Sequence, residues 1–364
     1  MAEFKPNIPE KILNLVNRNL HNQDHHPIKI IKELIYQHFD EVLPGMTKHD
    51  NLEKFVSTEY NFDKILVPKD HPCRSTSDTY YSKPDQVLRT QTSAHQAELL
   101  EKGETRFLVT GDVYRKDEID RSHYPVFHQM EGVYLVNDDQ NPETELMKVL
   151  STLIEKLFPN HTYRYNGDYF PFTNPSFEIE VEMNGEWVEV LGCGVIQSKI
   201  LETTGHSGKK GWAFGLGLER LAMILFKIPD IRYFWTEDSK FLDQFKNGEI
   251  TVFQEYSNLD SVNRDLSFWI KDQALTEVSG IKDWINQNDF YDLVRDLGSD
   301  YIELLDRWDV FFHPKKGMLS HCYHIHYKPV DTKITNPAEF KVIVDELHKK
   351  IVDEIEKKLD VIVR

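Results

Sequence analysis

Apolar positions recur at two spacings along this chain, and the changes from one to the other outline its elements. Ile12, Leu15 and Val16 step at helical spacing across residues 9–20. Ile28, Ile31, Leu34, Ile35 and Phe39 line one face of a second helix over 27–39, with Pro27 in the first turn, where a helix tolerates it. The run Phe107-Leu108-Val109 predicts a strand, and 126–131, continuing through 133–136, predicts another. Charge crowds the segment between them, from Arg115 to Arg121, so the pair reads as an antiparallel hairpin with a long polar tip. Residues 143–158 return to helical spacing, and 176–181 and 186–191 read as strands. At 211–225 a strand ends on Gly215 and Gly217, which permit a tight turn into an apolar helix.

Past the turn at Asn247-Gly248 the order changes. Strand 266–270, helix 290–297, strands 301–312 and 321–327, helix 337–359 and strand 361–363 give a βαββαβ order, which is ferredoxin-like. The fold class is therefore α+β, with a first domain over 1–248 and a second over 249–364.

Composition narrows the setting. The 364 residues suffice for two cores. No apolar run approaches the ~18–20 residues that span a bilayer, so no membrane partner is expected. Cys73, Cys193 and Cys322 are far apart and odd in number, which opposes a disulfide framework and suits a reducing compartment. A net charge of −17 is awkward for a nucleic-acid binder, and from Ile250 onward 15 Lys and Arg face 21 Asp and Glu. RNA contact must then be local, through Arg295, Lys315, Lys316 and Lys328, with aromatic stacking on unpaired bases. The start, MAEFKPNIPEK, is neither Arg-rich nor a cleavable apolar signal.

The candidate chemistry lies on the hairpin and on the later glycine-rich strand. Arg115 leaves the first strand, and Phe127, Gln129 and Glu131 return on the second. That set suits a phosphate, a flat base and an amine. Arg220 sits one turn into an apolar helix, and an arginine fork suits phosphate. Thr92 or Ser93 is placed to cap a helix whose N-terminus favours anions. Phe170 and Phe172 flank a proline, as core rings or as the walls of a pocket for a phenyl ring. Gly192 and Gly194 let a backbone approach a ligand, and Cys193 between them is a packing residue with no histidine partner apparent. The groups His21, His25 and His26, and Cys322, His324 and His326, do not complete a metal site.

GDVYRKDEIDRSHYPVFHQMEG resembles motif 2 of the class II aminoacyl-tRNA synthetases, and GLGLER resembles their motif 3. With DHPCRSTSDTYY, FPF, LGCG, NRDLSFWI, NDFYDLVR and SHCY, the wording from about residue 18 to the end resembles the phenylalanyl-tRNA synthetase family, single-chain organellar type. Helix 27–39 matches motif 1 in part, since NLEKFVSTEYNFD lacks the proline expected after it.

The resemblance implies a class II catalytic domain, an antiparallel sheet flanked by helices, followed by a ferredoxin-like anticodon-binding domain. It implies ATP-dependent activation of L-phenylalanine to the adenylate, then transfer to the terminal adenosine of tRNA(Phe) through its 2′-hydroxyl. Carried over, Arg115 and Arg220 are the catalytic pair, on the α- and γ-phosphates. Ser93, Ala94, His95, Gln96, Gln129, Met130, Glu131, Phe170, Phe172, Ala213 and Phe214 surround the amino acid, with Ala213 leaving room at the far end of the ring. Ser122, His123, Tyr124, Phe127 and Glu189 join the two arginines around ATP, with Mg²⁺ on Glu189. The family also implies a monomer in the mitochondrial matrix, although no transit peptide is visible; otherwise the chain works in the cytoplasm. Two other readings stay open: a class II synthetase for another amino acid, and a non-catalytic RNA-binding paralogue.

Overall fold

A computed structural model describes residues 4–364 apart from 258, 272, 273, 279 and 280. In chain order the strands of its first part are β1 (Thr47–His49), β2 (Phe55–Ser57), β3 (Tyr81–Lys83), β4 (Gln86–Leu88), β5 (Arg106–Tyr114), β6 (Val126–Leu135), β7 (Tyr163–Asp168), β8 (Thr173–Met183), β9 (Glu186–Ile196) and β10 (Gly211–Gly217). The helices between them are α1 (Glu10–Leu15), α2 (Pro27–Val42), α3 (Gln96–Glu101), α4 (Pro142–Leu157), α5 (Ser198–Thr203) and α6 (Leu218–Phe226).

Seven of these strands form one sheet in the order β1-β5-β6-β10-β9-β8-β7. Only the β1–β5 pair in it is parallel. Alternation along each strand sends apolar side chains to both faces, as a sheet covered on both sides requires. On the back, α2, α4 and α6 pack, and Phe39 of α2 stacks on Phe214 of β10 with ring centroids 5.2 Å apart. On the front, Phe107, Val109, Val133 and Ala213 pack with Leu99 and Leu100 of α3 and Ile200 and Leu201 of α5. Residues 1–115, 126–227 and 245–252 make up this first compact unit.

The first helix is shorter than the periodicity predicts. It ends at Leu15, because Asn17 and Asn19 take left-handed φ values of 73° and 48°. At α2 a histidine caps the helix: His26 Nδ1 accepts the Ile28 N–H, with Pro27 in the first turn. Neither Thr92 nor Ser93 caps a helix with its side chain. Residues Thr92–His95 form a 3₁₀ turn before α3, and the Thr92 N–H is accepted by Gln129 Oε1 instead.

The second compact unit comprises 116–125, 228–244 and 253–364. Its elements are α7 (Ser239–Leu242), β11 (Val262–Ile270), β12 (Leu275–Val278), β13 (Ile281–Trp284), α8 (Gln287–Gly298), β14 (Ile302–His313), β15 (Met318–Tyr327), α9 (Pro337–Lys358) and β16 (Val361–Val363). The sheet runs β14-β15-β11-β16, all antiparallel. The predicted βαββαβ order is present, with the antiparallel pair β12–β13 inserted after its first strand. Phe268, Tyr323 and Ile325 face a core shared with Phe290 and Val294 of α8 and Val344 and Ile351 of α9. Residues 116–125 are stitched into this unit: Leu305 donates to the Ile119 carbonyl, and Arg295 donates to the carbonyls of Asp117 and Glu118. Arg295 is thus buried in its own unit and is no RNA contact. Lys328 is committed too, to Glu255.

Candidate active site

The register of the front face assembles a hollow floored with glycine. Paired residues on adjacent strands point to the same side of a sheet. One row across five strands reads Val109, Glu131, Gly215, Gly192, Glu178. The next reads Val133, Ala213, Gly194, Ser176, and the row before runs Gly111, Gln129, Gly217. A Cβ on Gly215 would meet nothing within 4 Å, so the space over the middle of the sheet is open. Polar side chains stand on either side of it.

On one side is a buried carboxylate. Glu131 is 2% exposed, and its Oε1 accepts from Gln96 Nε2 at 2.8 Å. Ser93 beside it offsets part of the cost of its charge. Its Oε2 is buried without a hydrogen-bond partner. Burial pushes this carboxyl up to about 7. An orphaned carboxylate oxygen asks for a donor, ideally a cation that offsets the cost of burying charge. Toward Ala213 stand two aromatic rings. Phe170 and Phe172 lie parallel, centroids 5.8 Å apart, both half-buried. Phe170 rests over Gly192, where a Cβ would come within 2.9 Å of the ring. Phe172 packs against the cluster that contains Ala213 and against a second one that contains Ala94 and Phe62. The walls near Ala213 are therefore apolar.

On the other side are the groups suited to phosphate. Arg115 donates through Nε to the Thr90 carbonyl and lies over the Phe127 ring, 5.2 Å from its centroid. Arg220 reaches Glu189 at 3.1 Å, both side chains being about half exposed. Next to Glu189 stands Glu178, whose carboxyl is pushed up to about 7 by desolvation and by the charges of Glu189 and Asp168. Carboxylates that resist ionising together fit a divalent cation, which takes oxygen ligands.

Several expected contacts lie elsewhere. His95 is buried, and its ring nitrogens meet Arg89, Glu98 and the Glu53 carbonyl, so it braces α3 and does not present itself to the hollow. Met130 is fully buried and alternates to the back of the sheet between Gln129 and Glu131. Phe214 also faces the back, stacked on Phe39 and seated on Gly132, where a Cβ would come within 2.1 Å of its ring. Tyr124 belongs to the core of the second unit: it is 5% exposed, stacks on Trp235, and donates to Asp300. In that unit Asp120 Oδ1 accepts from the backbone of Ser122 and His123, and His123 Nδ1 meets Asp120 Oδ2 at 2.7 Å. That contact raises the His123 pKa and favours its cation. Ser93, Gln96, Gln129, Glu131, Phe170, Phe172 and Ala213, and with them Arg115, Phe127, Glu189 and Arg220, remain on the hollow's side of the sheet or at its rim. Cys193 is buried, its thiol pushed up to about 12, which fits packing and not nucleophilic chemistry.

Comparison with known proteins shows the family to which the chain belongs. Residues 13–245 match the model of the tRNA synthetases class II core domain (F). The chain is 45% identical to the chloroplastic/mitochondrial phenylalanine–tRNA ligase of Arabidopsis thaliana, over 98% of this chain and 82% of that one. It is 42% identical to the mitochondrial phenylalanine–tRNA ligase of Mus musculus, over 90% of this chain and 80% of that one. The chain belongs to the phenylalanine–tRNA ligase family of class II synthetases. Among solved structures it is similar to a pyrrolysyl-tRNA synthetase from Desulfitobacterium hafniense, with a TM-score of 0.47 and 16% identity over 62% of this chain and 77% of that one.

Glu178 shares the row of Glu131 and Gly215 although the sequence does not single it out. It reads as one more alternating position of a strand, and only the pairing Glu178↔Gly192 brings it into line with Gly215 and Glu131. Gly215 and Gly217 are expected to serve a tight turn, and Gly192 and Gly194 to let a ligand approach. Gly217 has an ordinary φ of −86°, and their use is the space they leave open.

Proposed function

We propose that the hollow binds L-phenylalanine and ATP and joins them as phenylalanyl-adenylate, which the chain, a phenylalanine–tRNA ligase, then transfers to tRNA. The orphaned Oε2 of Glu131, buried at one wall of a glycine-floored hollow with an aromatic slot beyond, carries this reading. The substrate ammonium pairs with Glu131, while Gln96 and Gln129 hold the orientation. Phe170 and Phe172 take the phenyl ring, with Ala213 beneath. Ala94 supports Phe172 from behind.

The substrate carboxylate then attacks the α-phosphate, and pyrophosphate leaves. No protein nucleophile is needed. The chain supplies alignment of the two reactants and compensation of the charge that builds on phosphate. Arg115 serves the α-phosphate, Arg220 the γ-phosphate, and Phe127 stacks on adenine. Glu178 and Glu189 would hold Mg²⁺, which supplies further neutralisation of the triphosphate when bound.

For the second step, residues 249–364 are the part we assign to tRNA(Phe), with 1–248 as the catalytic part. The sheet face opposite α8 and α9 supports this. Trp308 and Phe311 are 68% and 46% exposed there, and Lys316 and Arg364 lie over the Trp269 ring. Cations and aromatic faces together suit unpaired bases even on an acidic chain. We place the protein as a monomer in an organellar matrix, following the compartments named for its relatives; no helix among the described residues is long and apolar enough to cross a membrane. Charging assays with radiolabelled phenylalanine and tRNA(Phe) test the two-step reading. Phenylalanine bound through an ester to the terminal adenosine is expected, and adenylate formation with no transfer to any tRNA would contradict it.

A further inference from the structure

The buried pair behind Arg220 has no part in the chemistry above. β6 pairs with β10 as far as Gln129↔Gly217, after which the chain leaves the sheet and starts α6. The next residue of β6, His128, therefore meets no further β10 partner. Glu219, in the first turn of α6, takes that place. Its Oε2 accepts the His128 backbone N–H at 2.7 Å, and its Oε1 meets His128 Nδ1 at 2.6 Å. Facing a carboxylate, Nδ1 is the donor. Both side chains are buried, at 0% and 4% exposure. The His128 ring is backed by His21, 5.1 Å away, whose Nε2 meets the Asp50 carbonyl.

We propose that Glu219 is a positioning residue for Arg220: it clamps the first turn of α6 to β6 through His128 and so sets where the phosphate-binding guanidinium stands relative to Phe127 and Gln129. Arg220 follows Glu219 directly, and Phe127 and Gln129 flank His128. One two-pronged contact thus joins the neighbours of both ATP-contacting groups. The guanidinium itself ends in a half-exposed pair with Glu189. Such pairs hold geometry weakly, so the backbone below must hold it. The inference rests on the reading that Arg220 serves ATP.

The test uses the full chain in phenylalanine-dependent ATP–pyrophosphate exchange, with Glu219→Ala, Glu219→Gln, Arg220→Ala and the two double variants. Glu219→Ala is expected to raise the KM for ATP about tenfold and cut kcat about 100-fold, while phenylalanine alone binds within about twofold of the parent in calorimetry. Glu219→Gln keeps an acceptor oxygen for the His128 N–H and should recover at least about tenfold of the loss. Each double variant should be no slower than Arg220→Ala alone within about threefold, because the clamp acts through that arginine. Losses that multiply in the doubles, or exchange in Glu219→Gln and Glu219→Ala equal to the parent, would overturn the proposal. So would equal weakening of phenylalanine and ATP, the mark of general damage. If Glu219→Ala does not fold, the Glu219→Gln cycle alone decides. Should Arg220→Ala itself exchange normally, the phosphate assignment of Arg220 fails, and that result is distinct from failure of the clamp.

Discussion

At the residue scale the informative group is Glu131. A carboxylate that the fold holds at about 7, against 4.5 for the free group, is protonated in part at neutral pH and cannot then pair with an ammonium. Lowering the pH through 7 is therefore expected to raise the KM for phenylalanine in pyrophosphate exchange. The KM for ATP should move less over the same range. A KM for phenylalanine that stays flat from pH 8 to 6 would contradict the role given to Glu131. The sign for stability is opposite to that of a salt-bridged carboxylate. Between 4.5 and 7 the folded state holds a proton that the unfolded state has lost, so stability contributed by this group falls as pH rises through that window. It follows that Glu131→Gln should raise the melting temperature at pH 8 while abolishing exchange; a lower melting temperature would show that the carboxylate stabilises the unliganded fold.

At the scale of elements, strand alternation separates residues that look alike in sequence. Phe170 and Phe214 are both phenylalanines near glycines, yet one walls the hollow and the other fills the back of the sheet against α2. Phe214→Ala is expected to cost about 3–5 kcal/mol of stability, as deletion of a buried ring does. Phe170→Ala should leave the urea midpoint nearly unchanged and raise the KM for phenylalanine instead. The converse pattern would reverse the two assignments. Strands β5, β6, β8, β9 and β10 were legible from periodicity, and so were the residues that carry charge on the hairpin, whereas β1 and β7 at the edges of the same sheet were not. What periodicity did not give was the face. Met130 and Phe214 each sit one residue from a hollow-facing neighbour, and only the pairing of β6 with β10 decides which side they take. Tyr124 was misplaced for a different reason: residues 116–125 pack in the second unit, through hydrogen bonds between segments nearly 200 residues apart, such as Leu305 to Ile119. The place of Glu178 beside Gly192 was illegible because its neighbours lie on other strands.

For the molecule as a whole, the proposed assignments give activation to residues 1–248 and tRNA binding to residues 249–364. If the exposed aromatic face of the C-terminal sheet holds unpaired bases of tRNA, Trp308→Ala should lower kcat/KM for tRNA about tenfold in aminoacylation, the usual scale for one lost base stack. Pyrophosphate exchange, which needs no tRNA, should be untouched. Equal losses in both assays would mean that the ring supports the fold and not the tRNA. The net charge of −17 makes this localisation necessary, since a uniformly acidic surface repels a polyanion.

The central claim is that the hollow activates phenylalanine. It is tested most directly by ATP–pyrophosphate exchange with each of the twenty amino acids, with Mg²⁺ and without tRNA. A strong signal is expected with phenylalanine and a weaker one with tyrosine, about 10²-fold lower in kcat/KM, because an apolar pocket rejects an added hydroxyl poorly. Arg220→Ala should cut both about 10³-fold. Exchange driven by an unrelated amino acid, or none with any of the twenty in folded protein, would contradict it.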